Sequence, residues 1–399
     1  MVESINIEYM LLGMALLVAI GILLHQPSKT LGIPSLLIFM GIGLAFGNGE
    51  WHFVYDNLAV TSFIGAMALN IIVFVGGLNT SKQNIAIAYK EGGLLSTFGV
   101  LLTTGILGGS LAFLFNLDLL LCLLFAAVVA STDAAAVFSI LESKKLKLKD
   151  NTDTVLEFES ATNDPVALVL VIMLTDMLLS SGQTVSYSTL LLTLTQQIVV
   201  GMGFGWLIGK LCAWLLNHNR LEEYGLIPVF ILACFVIAIY GSELLGGNIL
   251  LAAYVSGVVI GNGVQRGREV SKHFFNSVSW LAQALMFIIL GLQFFPLAMV
   301  GDVLLAVVPA CLLMLIARPL AVFLCYLPFR RASWQKQTFI AAIGLKGATP
   351  IVFALIPASA GVPQAQTLMH IVFFIVLISV VLQGWAIEPL ANRLGLKQT

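Results

Sequence analysis

Charge is scarce in this chain. Only 10% of its residues are Asp, Glu, Lys or Arg, while 59% are hydrophobic; a soluble domain of average composition carries roughly 25% charged residues. There are too few polar groups to cover a water-facing surface, which excludes an ordinary soluble domain and places the chain in lipid. A basic surplus is missing too. The net charge is -1, which excludes nucleic acid as a partner because nothing is in excess to neutralise phosphates. The cysteines, Cys122, Cys212, Cys234, Cys311 and Cys325, sit inside apolar runs with no C-x-x-C spacing. They read as small buried hydrophobes, neither disulfides nor zinc ligands. No Ser/Gly linker or low-complexity tract breaks the chain, and its start lacks the basic n-region and small-residue cleavage site of a cleavable signal.

What is present is a series of long apolar runs. A spanning helix needs about 20 mostly apolar residues. Runs bounded by polar, Gly or Pro clusters predict thirteen transmembrane helices, near 8–25, 33–47, 58–78, 92–115, 118–141, 152–180, 188–216, 226–242, 247–262, 274–293, 301–327, 338–357 and 366–390. The fold class expected is therefore an all-α polytopic membrane protein. The loops supply an independent check, since cytoplasmic loops should hold Lys and Arg. One alternate set, with the C-terminal tail, holds 16 of the 19 basic residues: Lys29, Lys82, Lys90, Lys144, Lys145, Lys147, Lys149, Arg220, Arg266, Arg268, Lys272, Arg330, Arg331, Lys336, Arg393 and Lys397. The opposite loops hold none. The N-terminus is expected outside and the C-terminus inside.

Charges inside the runs demand explanation, because one at the bilayer centre costs ~2.5–3.5 kcal/mol on insertion scales. Lys210 is near a segment end and can snorkel. Asp176 is near the outer end of segment 6, where it is solvated. Glu157 follows Thr154 by three residues, which fits a capping box or a position at the ion entrance. Asp133, Glu159, Asp164, Arg318 and Lys346 remain. At ~1.5 Å rise per residue, all five fall in one layer near mid-membrane. Three carboxylates then face two bases, so one carboxylate lacks a fixed counter-ion. The residue expected in that position is Asp164, which would bind a cation or a proton.

Segment 6 supports the choice. At 100° per residue Ser160 and Asp164 share one face, while Glu159 and Asn163 share an adjacent one and brace the helix. Pro165 cannot donate to Ala161, which frees a carbonyl close to the site. Segment 5 offers Ser131-Thr132-Asp133 at the same depth. Segment 12 offers Gly344-Leu345-Lys346-Gly347-Ala348-Thr349-Pro350, a poor continuous helix and a candidate interruption of the kind found at transporter sites.

At these residues the chain resembles the NhaP-type branch of the monovalent cation–proton antiporter superfamily, and within it the bacterial potassium/proton antiporters. The motifs are Glu159-Ser160-Ala161-Thr162-Asn163-Asp164-Pro165, Thr132-Asp133, Gly344-Leu345-Lys346-Gly347, Ala317-Arg318-Pro319 and Gln383-Gly384. The resemblance implies an inverted-repeat architecture: scaffold and dimerisation helices in 1–91 and 181–299, and a mobile core in 92–180 and 300–399. It implies Asp164 as the exchanging carboxylate, with Thr132, Asp133, Ser160 and Asn163 around the ion. Glu159 would pair with Lys346, and Arg318 would be a further structural ion-pair residue. A homodimer in the bacterial inner membrane, exchanging potassium or sodium for a proton electroneutrally and without a cofactor, is expected. Relatives often have Arg where this chain has Lys346, Pro where it has Ala134, a small residue where it has Phe158, and an acid where it has Val75. Such proteins usually continue into a cytosolic regulatory region, so more chain is expected beyond Thr399.

Other classes fit less well. A ligand-gated potassium efflux channel of the same superfamily differs by lacking obligatory coupling. An intramembrane aspartyl protease would need facing aspartates, and Tyr55-Asp56 and Gly301-Asp302 fall in or beside outside loops, with Met299 where a Gly belongs. No H-E-x-x-H or G-x-S-x-G occurs. His370 is the only His well inside a segment and reads as packed or pore-lining.

Overall fold

The computed structural model describes residues 7–31, 35–47, 55, 57–133, 137, 146–180, 187–218, 223–294, 300–329 and 331–398. Among them the architecture is all helical, with no strand longer than an isolated bridge. The helices are α1 (Ile7–Leu31), α2 (Ser35–Phe46), α3 (Leu58–Asn79), α4 (Lys82–Phe115), α5 (Leu119–Ala130), α6a (Thr152–Thr162), α6b (Asp164–Leu179) and α7 (Tyr187–His218). They continue as α8 (Leu226–Leu244), α9 (Ile249–Gly263), α10 (Arg268–Gln293), α11 (Val303–Tyr326), α12a (Trp334–Ala342), α12b (Ala348–Ser359) and α13 (Ala365–Arg393). Among the described residues, eight helical stretches are long and apolar enough to cross a membrane, and five shorter ones are apolar. Large apolar side chains stand exposed on their outer faces, among them Phe113, Met202, Trp206, Leu304 and Leu315. In water such a surface would aggregate; in lipid it is solvated.

Two packing groups position the site. In one, α3 lies against α9 and α10, and α10 also lies against α2. In the other, α5 packs on α4 and α6b, and α12b on α13, α6b and α5. The groups meet where α12b touches α3.

Several sequence expectations are corrected. Segment 4 begins ten residues early, because Ser81 caps Asn84 N–H and the polar run from Lys82 continues as helix. An apolar-run criterion cannot see that turn. Lys82 and Lys90 are thus helical residues. Lys336, assigned to a loop, is buried in α12a, where its Nζ contacts Glu91 at 2.7 Å and the carbonyl of Asp150 at 2.9 Å. The Thr154–Glu157 capping box does not form, since α6a starts at Thr152 and Thr154 is already inside it. Cys311 is exposed, not buried, on the apolar outer face of α11; the other four cysteines are buried. Phe158, where relatives often keep a small residue, is accommodated by Gly92, at which a Cβ would lie 2.6 Å from the Phe158 ring.

The C-terminal tail is part of the fold. Lys149 N–H donates to Leu396 (2.7 Å), Gln398 N–H donates to Lys147 (2.9 Å), and Leu148 and Lys397 form the isolated bridge. Leu148 and Leu396 are buried with Val155, Phe339 and Ile387, so the tail closes one end of a small apolar cluster beneath α6a and α12a. Truncating a buried Leu to Ala typically costs ~2–5 kcal/mol. Leu396→Ala should lower the thermal unfolding midpoint in detergent by a corresponding several degrees; an unchanged midpoint would show that the tail is not docked.

Candidate functional site

Helix breaks build the site. Segment 5, expected over 118–141 with no local residue to write an interruption, is broken after Ala130, and Ser131 is extended (φ -60°, ψ 149°). Segment 12 breaks where expected, between Ala342 and Ala348. The two non-helical stretches cross, and Asp133 N–H donates to the Leu345 carbonyl at 2.8 Å. Each break leaves orphan backbone groups at membrane depth, where they must be satisfied. The chain does so reciprocally. Lys346 Nζ donates to the carbonyls of Ala130 (2.9 Å) and Ser131 (2.8 Å), capping the negative end of α5. Asp133 Oδ2 accepts from Ala348 N–H (3.1 Å), capping the positive end of α12b. Gly347 is required here, since a Cβ would collide with the Asp133 carboxylate.

The partner of Glu159 is Arg318, not Lys346. Arg318 Nη1 and Nη2 reach Glu159 Oε1 and Oε2 at 2.5 and 2.8 Å, a bidentate pair with both side chains buried. The planar guanidinium suits that fork, and an ammonium does not. Lys346 is engaged instead with the end of α5. Gln383 secures the break from the other side: its Nε2 donates to the Ala342 carbonyl (2.9 Å), and Ser379 links its Oε1 (2.6 Å) to Lys346 N–H (2.9 Å).

Segment 6 is also broken. α6a ends at Thr162, Asn163 bends, and α6b begins at Asp164 with Pro165 in its first turn, where a missing N–H costs nothing. Asn163 braces the break: its Nδ2 donates to Thr132 Oγ1 (2.6 Å), which in turn shares a hydrogen bond with Ser160 Oγ (3.0 Å). Ser131 donates to Asp164 Oδ1 and lies 3.3 Å from Asn163 Oδ1. The expected site residues Thr132, Asp133, Ser160, Asn163 and Asp164 are thereby brought together, and all are buried. Ser131 and Thr349 were not picked out as site residues, although both lie within the polar runs around the breaks. Thr349 lines the same cavity as Asp164 and Asp133.

Asp164 stands apart in the charged layer. Glu159 has Arg318, while Asp133 and Lys346 answer the helix ends. Among the described residues, no Lys, Arg or His lies within 4.0 Å of the Asp164 carboxylate. It nevertheless sits buried in a cavity lined by Leu69, Ile72 and Gly76 of α3, Gln283 and Phe287 of α10, and Thr349 of α12b. A buried carboxylate without a counter-ion must take up a proton or a cation. His370 is packed, as expected, and its Nδ1 contacts Asp302 Oδ2 at 2.7 Å. That occupies one aspartate a protease would need; Asp56 lies outside the described residues. Lys210 is exposed with its ammonium 6.0 Å over the Trp206 ring, and Asp176 is exposed, both as expected.

A family model described as "Sodium/hydrogen exchanger, transmembrane" matches residues 14–393. The chain is 37% identical over 395 residues to a protein of Shewanella sp. (strain ANA-3) named K(+)/H(+) antiporter NhaP2, covering 98% of this chain and 67% of that one. It is 36% identical over 397 residues to the K(+)/H(+) antiporter NhaP of Alkalimonas amylolytica, covering 99% and 68%. Its fold matches the sodium proton antiporter MjNhaP1 from Methanocaldococcus jannaschii at a TM-score of 0.83, with 22% identity, over 97% of this chain and 99% of that one.

Proposed function

The chain belongs to the sodium/hydrogen exchanger transmembrane family, and from that premise we propose that it exchanges a monovalent cation for a proton at Asp164. The observation that carries this reading is the buried Asp164 carboxylate without a basic partner. Protonated, or bound to one monovalent cation, the site is neutral. Bare, it is a charge in a low-dielectric environment, and moving it costs several kcal/mol. Only the two loaded forms cross, so movement of one species obliges return of the other. One charge for one charge makes the exchange electroneutral. No cofactor takes part.

Potassium is the preferred cation in this reading. Two relatives at 36–37% identity are named potassium/proton antiporters, and the hydroxyls of Ser131, Thr132, Ser160 and Thr349 offer neutral oxygens near the Asp164 carboxylate. The braced breaks of α5, α6 and α12 support a mobile core formed by 92–180 and 300–399, moving against a scaffold of 1–91 and 181–299 through which two copies associate in the bacterial inner membrane. Everted vesicles loaded with potassium, sodium or lithium at several pH values test the proposal. Dissipation of a proton gradient on adding potassium is expected. Potassium flux that persists without a counter-proton or counter-cation would identify a channel instead.

Orientation has its own test. The 16 basic residues gathered in or beside one alternate set of loops motivate thirteen crossings with the N-terminus outside. A cysteine at Lys147, which is exposed, should be labelled only from the cytoplasm, and one at Gln183 only from outside. Labelling of the Gln183 site from the cytoplasm would mean that the number of crossings before it is off by one.

A further inference from the structure

The cavity that reaches Asp164 has two unlike walls. Asp133, Asp164 and Thr349 make one wall polar. The opposing wall, from α3 and α10, is Leu69, Ile72, Val73, Gly76, Met286 and Phe287, with one polar exception, Gln283. That exception is expensive where it stands. Gln283 is 9% exposed, and a buried amide is unfavourable unless its polar atoms find partners.

Half of the amide is accounted for. Nε2 donates to Ser279 Oγ, one helical turn earlier on the same face, at 3.2 Å. Oε1 has no hydrogen-bond donor among the described residues, and its side chain lines the cavity. The Ser279 bond thus anchors the amide within the cavity wall that faces Asp164. A fixed, unpartnered carbonyl oxygen in an otherwise apolar wall is a ligand for a cation that is losing water. Such oxygens replace hydration, and their number and placement discriminate between cations of different size.

We propose that Gln283 is a cation-contacting residue of the static wall, whose side-chain carbonyl replaces one water of the monovalent cation as it reaches Asp164 and so sets affinity and selectivity. The inference rests on the exchange reading above and adds to it a residue outside the charged layer. It also explains how a chain with Val75 and Gly76 on α3, and no acid there, presents oxygen to the ion from that side of the cavity.

The test is a cation series in everted vesicles at fixed pH, using the full chain, with Gln283→Leu, Gln283→Asn and Ser279→Ala. For Gln283→Leu the KM for potassium should rise about tenfold, the equivalent of one lost favourable contact, with the maximal rate within about twofold. The ratio of potassium to sodium KM should change as well. Gln283→Asn keeps the amide one methylene shorter and should be intermediate; it also carries the test if Gln283→Leu does not accumulate in the membrane. Ser279→Ala should shift KM in the same direction by less. A merely structural role would lower the amount of protein or the maximal rate while leaving KM and the cation ratio alone, and that result would overturn the inference. Wild-type vesicles without any coupled exchange would instead overturn the exchange reading itself.

Discussion

Asp164→Asn brings cation-dependent proton movement down to the level of vesicles lacking the protein, with the protein still folded and present in the membrane. The two halves of that expected result come from different properties of the side chain. Asn has nearly the shape of Asp and keeps an oxygen that can accept from Ser131, the group that now donates to Asp164 Oδ1. The bend at Asn163 and the Asn163–Thr132–Ser160 chain do not depend on the carboxylate. Folding should therefore survive. What is lost is the carboxylate that the proposed exchange uses to hold either a proton or a cation. Size-exclusion behaviour in detergent checks the first half and everted-vesicle exchange the second. Exchange near the wild-type rate in this variant would remove Asp164 from the mechanism.

Arg318→Met should be the most destabilising single substitution in the charged layer. It leaves Glu159 fully buried without the bidentate fork that now holds both of its oxygens. Breaking a buried pair by removing one partner typically costs roughly 3–5 kcal/mol, whereas replacing both with apolar residues can be nearly neutral. Arg318→Met combined with Glu159→Leu should therefore recover most of the loss in thermal stability, and, with Asp164 untouched, retain exchange. Lys346→Met should also destabilise, but by uncapping the carbonyls of Ala130 and Ser131, so Glu159→Leu should not rescue it. The contrast between the two cycles, measured by thermal unfolding in detergent, identifies the pairs. Rescue of Lys346→Met by Glu159→Leu, with none for Arg318→Met, would reverse the assignment.

That pairing is where the sequence was least legible. Depth along each segment put Glu159, Arg318 and Lys346 in one layer, and the structure buries all three there. Depth says nothing about azimuth between segments, and azimuth decides which base meets which acid. The break in segment 12 was readable because Gly344, Gly347 and Pro350 write it locally. The break in segment 5 was not, because Ser131 to Ala134 contains neither Gly nor Pro. Its cause lies elsewhere, in Lys346 and the Leu345 carbonyl more than two hundred residues away. Asp164 was singled out by counting charges, which needs no geometry. Ser131 and Thr349 were overlooked because a hydroxyl within a predicted helix is usually satisfied by that helix's own carbonyls. Gln283 gave no motif at all; only the wall of the cavity makes it stand out.

The central claim is that one carboxylate holds either a proton or a cation and never both. The dependence of the cation KM on pH, measured in proteoliposomes containing the wild-type chain, tests it most directly. If the two ligands compete for Asp164, each unit fall in pH on the acid side raises the potassium KM about tenfold, the mass-action consequence of one competing proton, while the maximal rate is unchanged. A KM that stays constant while the maximal rate falls with pH would mean that the proton acts at a different site, and would contradict the account.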